Sequence, residues 1–302
     1  MDPVSKRLPP IESGQPVGSH TKCVSCDYDL HGLPMDGTCP ECGTEIAQTL
    51  HGGMLWYSPL SFLRALRLGA LLVVVSNILI LIGSVGTPIA IFTLMTLAPA
   101  PSPQPHQPPS PWASPIDPQI EAIFMLAVFL VLTLPATIML TAGWWKLTGT
   151  EPSRAAGPDR TASLKTAIRV LVAVILGLSA VTFGLIIAKV FVHNVVLSVS
   201  EMAVGMTSGL VSIALFFVSL VFLRRMARRI PDQTLHYRAG QYLWLLPVIY
   251  ILGMCVLVGP LVATVMYLIL IGQFRSAVGE ILSMREAAGE VEDSPLFGPQ
   301  PT

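Results

Sequence analysis

Charged side chains make up only 12% of this 302-residue chain, while hydrophobic residues make up 52% and the mean hydropathy is +0.66. A water-soluble domain carries roughly 25% charged residues, so the composition excludes an ordinary soluble globule. The two signs also cancel, with 18 basic against 18 acidic residues, which removes any overall attraction to a polyanion. No apolar run stands behind Lys6-Arg7, so a cleavable signal peptide is not expected. The patterns His-Glu-x-x-His, Gly-x-Ser-x-Gly and the phosphate-loop glycines are all missing. The common membrane-bound hydrolase signatures therefore go unmet, and nothing in the sequence supports an enzyme.

Cysteine is also sparse, five in all, yet four of the five fall in one short stretch: Cys23-Val24-Ser25-Cys26, then Cys39-Pro40-Glu41-Cys42-Gly43. Two Cys-x-x-Cys pairs at this separation can close around one tetrahedral metal ion. We therefore expect residues 20–50 to form a small zinc ribbon with a β-hairpin between its metal-binding turns. Gly32, Pro34, Asp36 and Gly37 supply the turn chemistry, and Tyr28, Leu30, Leu33 and Ile46 a few apolar contacts. So small a core does not hold itself together, since domains below about 40 residues usually need a metal or disulfides. Zn2+ binding and folding should thus be one event, with one structural ion per chain on Cys23, Cys26, Cys39 and Cys42. A rubredoxin-like iron site, disulfides and a redox-active Cys-x-x-Cys are the rival readings of the same spacing. His20, His31 and His51 lie nearby, but four sulfurs suffice.

Zinc ribbons often bind nucleic acid, and charge tests that reading. Within residues 20–50, Lys22 is the only base, against Asp27, Asp29, Asp36, Glu41 and Glu45. An acidic head is a poor match for a phosphate backbone, so no nucleic acid is expected and a protein partner is the better reading. Residues 1–19, rich in proline and glycine, read as a disordered tail, and residues 51–68 as a juxtamembrane linker.

The stretch Cys23 to Gly43, with its Cys-x-x-Cys-x-Tyr-Asp-Leu-x-Gly-Leu and Cys-Pro-Glu-Cys-Gly, resembles the head of a group of bacterial multi-pass membrane proteins with an N-terminal cytosolic zinc ribbon. Trp144-Trp145-Lys146-Leu147-Thr148 with Glu151-Pro152, and Arg228-Arg229-Ile230-Pro231-Asp232, are similar to that group as well. The resemblance implies a cytosolic ribbon ahead of several transmembrane helices and carries no activity. The chain departs from it at Asp27, where glycine is common.

The body, 69–272, reads as all-α and membrane-embedded. Apolar segments long enough to cross a hydrocarbon core of ~30 Å, about 20 residues, run near 69–97, 121–143, 168–191, 201–223 and 242–272. The first and last exceed that length and contain breaks, Gly83, Gly86 and Pro88 in one and Gly259-Pro260 in the other, so tilt or a kink is expected in each, with a re-entrant hairpin as the alternative. Basic residues are retained on the cytoplasmic side of short loops. In a five-span arrangement every Lys and Arg except Lys189, Arg275 and Arg285 falls on the side of the amino terminus. That places the head in the cytosol of a cell with this protein in its plasma or inner membrane, where reduced thiols are available to zinc. Arg275 and Arg285, in the tail 273–302, would be exceptions on the opposite side if the fifth span is single, so the side of the carboxyl terminus stays open.

The five tryptophans all fall beside or between spans, as interfacial rings should. The loop 99–118 alternates proline with Ser, Gln and Ala and reads as an extended spacer. Arg224, Arg225, Arg228 and Arg229 read as a topogenic stop signal, with anionic headgroups as the alternative ligand. Ionisable groups are nearly absent within the spans, where they would be functional by default. The exceptions, Lys189, His193, Glu121 and Glu201, sit at span ends on one side and can form a polar cluster. Asn77 and Cys255 are single, and Gly205-x-x-x-Gly209 is suited to close helix packing. Together these features point to a non-enzymatic, membrane-tethered interaction module. A small-solute permease or accessory subunit is the alternative, motivated by the two broken long spans.

Overall fold

Long apolar runs with few helix breakers satisfy their backbone groups internally, and in lipid an α-helix is the simplest way to do so. The computed structural model describes residues 14–18, 21–23, 26, 28–47, 49–50, 55, 58–97, 118–149, 161–192, 195–227, 229–230, 233–253 and 258–287. After the head, the body consists of α1 (Leu60–Leu97), α2 (Pro118–Val128), α3 (Leu134–Leu147), α4 (Ala162–Phe191), α5 (Val195–Ala227), α6 (Gln233–Gly253) and α7 (Val258–Ala287). Among the described residues, five stretches are long and apolar enough to cross a membrane: Leu60–Thr93, Ile123–Leu147, Ala162–Phe191, Val196–Ala227 and Gly259–Ala287.

α1 begins at Leu60 rather than at 69, and it runs unbroken through Gly83, Gly86 and Pro88. The chain makes no re-entrant turn there: at about 1.5 Å per residue its 38 residues extend over roughly 57 Å, more than a hydrocarbon core of ~30 Å. Its first turns are helical because Leu60, Leu63, Leu66, Ala70 and Val73 recur at helical spacing and are buried, while Arg64 and Arg67 point away. α2 and α3 are joined by a single π-turn, Phe129–Thr133. Pro135, at the start of α3, has no N–H for the Val131 carbonyl, and its ring would crowd that carbonyl in a regular helix. The chain widens instead, with the Leu134 N–H donating back to the Phe129 carbonyl.

The expected fifth span, 242–272, is two helices. The Phe216 ring lies 5.8 Å from the Tyr250 ring and 5.1 Å from that of Tyr267. Seventeen residues of one straight helix would hold those two tyrosines about 25 Å apart, so α6 and α7 double back as a hairpin. Gly253 and Gly259 make the close approach possible: a Cβ on Gly253 would collide with the Gly259 Cα. The break read at Gly259-Pro260 falls in the first turn of α7, and Cys255 lies outside the described residues.

The hairpin also moves the carboxyl end. α7 continues through 273–287, which the sequence reads as tail, and its last turns meet the start of α1. Arg64 pairs with Glu286 at 3.0 Å, and Arg285, itself buried, donates to the Ser58 carbonyl. The end of α7 therefore lies on the side of the head, and not on the opposite side where a single pass through 242–272 would carry it. The approach segment is pinned at the same place, with the Leu55 N–H donating to the Arg229 carbonyl at 2.9 Å and Leu55 fully enclosed.

A close crossing also joins α1 to α3. A Cβ on Gly69 would fall 2.9 Å from the Gly143 carbonyl oxygen, and one on Gly143 would fall 2.8 Å from Val73 Cγ2. By contrast, Gly205 and Gly209 meet nothing within 4 Å, so that pair packs no helix among the described residues. Between α5 and α7, the Ser219 and Tyr267 hydroxyls share a buried 2.8 Å hydrogen bond.

Candidate metal centre

Each cysteine pair sits on a backbone turn that uses the same bonds. In the first, the Cys23 N–H donates to the Tyr28 carbonyl (2.8 Å), the Leu30 N–H donates to the Thr21 carbonyl (2.9 Å), and Lys22 bridges Asp29. In the second, the Cys39 N–H donates to the Thr44 carbonyl (2.8 Å), the Ile46 N–H donates to the Gly37 carbonyl (2.9 Å), and Thr38 bridges Glu45. The two turns are the same structure shifted by sixteen residues along the sequence, which carries Cys23 to Cys39, Cys26 to Cys42 and Leu30 to Ile46. The head has no extended strand among its described residues; isolated antiparallel bridges at these turns and between Pro16 and Pro34 take the place of the expected hairpin. Turn-forming proline and glycine leave too little uninterrupted chain for a ladder.

Residue type explains each turn. Gly43, one residue past the second pair, has a φ of 70°, a conformation that costs glycine nothing. Its counterpart, Asp27, lies outside the described residues, as do His20 and His51. Leu30 and Ile46 are fully enclosed and pack with Val17, Met35, Cys23 and Cys39 in one small cluster. The first cysteine of each pair is therefore buried and the second exposed.

All four Sγ atoms lie within 4.8 Å of one another. Cys23 is 3.6 Å from Cys42, and Cys26 is 3.5 Å from Cys39. These separations are far longer than a disulfide bond, about 2.05 Å, and close to the S···S edge of about 3.8 Å that a tetrahedron with Zn–S of about 2.3 Å requires. Both of these contacts join sulfurs of different pairs, so one ion would tie the two turns together. The donor set fits a soft, tetrahedral ion.

The two exposed sulfurs differ. The Cys42 thiol donates to the Thr44 hydroxyl, 3.2 Å away, and its sulfur accepts from the Thr44 backbone N–H, and these contacts draw the thiol down to about 6. At Cys26 the Tyr28 backbone N–H also pulls downward, but desolvation and the sulfurs of Cys42, Cys39 and Cys23 push the thiol up to about 12. Four crowded sulfurs do not all ionise without a cation among them, and a bound divalent ion reverses that balance. Thr44 was not singled out from the sequence; its place two residues after a metal-site cysteine is the signal that marks it. His31 is exposed and its backbone N–H bonds Asp29, so it stands apart from the sulfurs. Around the site Asp29, Asp36, Glu41 and Glu45 are exposed, as is Lys22.

At the other end of the body, Lys189 in the last turn of α4 forms an ion pair with Glu201 on α5. His193 and the Glu121 side chain lie outside the described residues. Asn77 donates to the Val73 carbonyl of its own helix. Searched against models of known protein families, against curated proteins and against solved structures, the chain gives no match.

Proposed function

We propose that this chain is a multi-pass protein of the plasma or inner membrane whose cytosolic head binds one structural zinc ion and presents an acidic surface to a protein partner. The observation that carries this reading is the meeting of four thiols within 4.8 Å on two matched turns. Such a site has every coordination position filled by protein, so it offers no place for a substrate and acts by holding the head in shape. The orientation draws support from α7, whose end lies beside the start of α1 and brings Arg275 and Arg285 to the head side with the other bases. Lys189 alone then remains on the far side, paired with Glu201, in closer keeping with retention of basic residues in the cytosol. The resemblance to bacterial zinc-ribbon membrane proteins agrees with the same arrangement. The permease alternative rested on two broken long spans; α1 is unbroken, so half of that motivation is gone.

Elemental analysis of the purified protein should find about one zinc per chain, falling to near zero in Cys39→Ser. Affinity capture from crosslinked cells should then recover a partner with the wild type and lose it with Cys39→Ser. Iron in place of zinc, or a full complement of partner on the zinc-free variant, would overturn the reading.

A further inference from the structure

On α3, Ile138, Thr141, Ala142 and Trp145 fall at helical spacing along one side, and together with Lys146, also on α3, and Leu176 on α4 they line an open groove of about 410 Å³. We propose that this groove holds one acyl chain of an anionic phospholipid whose phosphate sits against the Lys146 ammonium, an assignment that rests on the membrane reading above.

Three observations select this occupant. The walls belong to two of the stretches long and apolar enough to cross a membrane, and Ile138 is 54% exposed, so lipid is the medium the groove opens into. The polar end is built where a headgroup belongs: α3 ends at Leu147, and Trp145 beside it is a ring type that favours the headgroup region. Arg169 fixes that ring from α4, its guanidinium 5.0 Å from the ring centroid while it donates to the Thr148 carbonyl at 2.7 Å and to the Thr148 hydroxyl at 3.0 Å. Charge then decides the headgroup. Arg169 spends its hydrogen bonds on the end of α3, and Lys165 reaches the Gly149 carbonyl at 3.4 Å. Lys146 is exposed, has no ion pair among the described residues, and no acidic residue lines the groove.

The dimensions agree. From Trp145 to Ile138 and from Arg169 to Leu176 is seven residues on each helix, so the groove runs about 10 Å inward from the headgroup level. That depth suits the upper part of an acyl chain. A convex helix face would touch passing lipids without selecting them, whereas a concave wall with a cation at its mouth discriminates by charge.

The test uses the full chain in mild detergent, titrated with phosphatidylglycerol, phosphatidylcholine or inorganic phosphate and read by native mass spectrometry. Phosphatidylglycerol should form the persistent adduct. Lys146→Ala should weaken it about fivefold, the effect of one cation at an anionic lipid surface, and Lys146→Arg should restore it. Ala142→Trp should fill the groove and lower retention of both lipids, with zinc content and melting temperature reporting that the variants fold. Unchanged phosphatidylglycerol retention in Lys146→Ala, or equal protection by inorganic phosphate, would overturn the proposal. Carbonate extraction of the same cells separates the two readings. Protein released from the membrane would sink the membrane assignment itself. Protein that stays in the pellet with no Lys146-dependent adduct would sink only the lipid site.

Discussion

At the head end of the helical body Leu63, Leu66, Trp144, Leu147, Ile168, Phe222 and Phe274 are almost wholly enclosed by the chain, whereas at the far end Phe92, Phe191, Val196, Met202 and Met206 stand out at 64–80% exposure. Both sets are large and apolar, so hydrophobicity does not separate them. In water the second set would be costly to leave uncovered; in a bilayer it costs little, because lipid tails are as apolar as the side chains. What separates the ends is how closely the helices approach. At the head end glycines meet one another, Gly69 against Gly143, and Trp144 packs edge-on against Phe222 at 6.2 Å. At the far end Gly205 and Gly209 face open space, and Lys189 with Glu201 makes the ion pair there. The end that carries the four-cysteine head is thus the more closely packed one. Leu55, Ser58, Arg285 and the Arg64–Glu286 pair tie the approach segment and α7 together at that end.

The contrast is broken most severely at the α1–α3 crossing. Gly143→Val places a branched side chain where a single Cβ already meets Val73 at 2.8 Å and the Gly69 carbonyl at 2.9 Å. One of those obstacles is backbone and does not yield by changing rotamer, so the helices must separate. We expect a loss of about 3 kcal/mol, the upper end of ordinary overpacking, measured as a lower melting temperature in detergent. A melting temperature equal to that of the wild type would mean that the head end is as loose as the far end.

A smaller effect is expected midway along the body, where Tyr267 and Ser219 join α7 to α5. Tyr267→Phe removes the shared hydrogen bond but leaves Ser219 its bond to the Phe216 carbonyl at 2.7 Å, so no orphaned donor results. Interhelical hydrogen bonds in membranes average roughly 0.6 kcal/mol and reach about 1.7. A loss of about 1 kcal/mol in the same melting assay is the expected outcome. A cost as large as that of Gly143→Val would show that the closely packed region extends further from the head than burial implies.

The residues that define this contrast were unevenly legible in the sequence. The spans in α1 through α5 were legible because length and composition alone decide whether a segment can cross lipid. Their ends were less so: Leu60, Leu63 and Leu66 pack inward beside Arg64 and Arg67, and average hydropathy hides a helix with one charged face. The α6–α7 hairpin was misread as one long span because apolar content is continuous through Gly253 and Gly259. Whether glycines beside a proline bend a helix or fold it back depends on contacts with Phe216, far away in the chain. The side on which α7 ends stayed open for the same reason. Cys23, Cys26, Cys39 and Cys42 were the most legible residues, since ligand spacing is a local property. The bonds from Thr44 and Tyr28 to sulfur were not, because backbone geometry places them.

The far end supplies the mildest and most discriminating test. Gly209→Leu adds a large side chain on α5 where a Cβ would meet nothing within 4 Å, beside Met206 and Leu210, which are both more than 60% exposed. If lipid covers this face, the new side chain exchanges lipid contacts for lipid contacts and also relieves a helix of glycine's backbone entropy. Melting should then shift by no more than about 0.5 kcal/mol, the range of ordinary surface substitutions. Gly-x-x-x-Gly is also the pattern by which membrane helices of separate chains approach closely. A fall in apparent mass by crosslinking or light scattering on Gly209→Leu, with the melting of each chain unchanged, would show that a second copy covers α5. The far end would then be open only within one chain, and its looseness relative to the Gly69–Gly143 crossing would be a property of the isolated subunit.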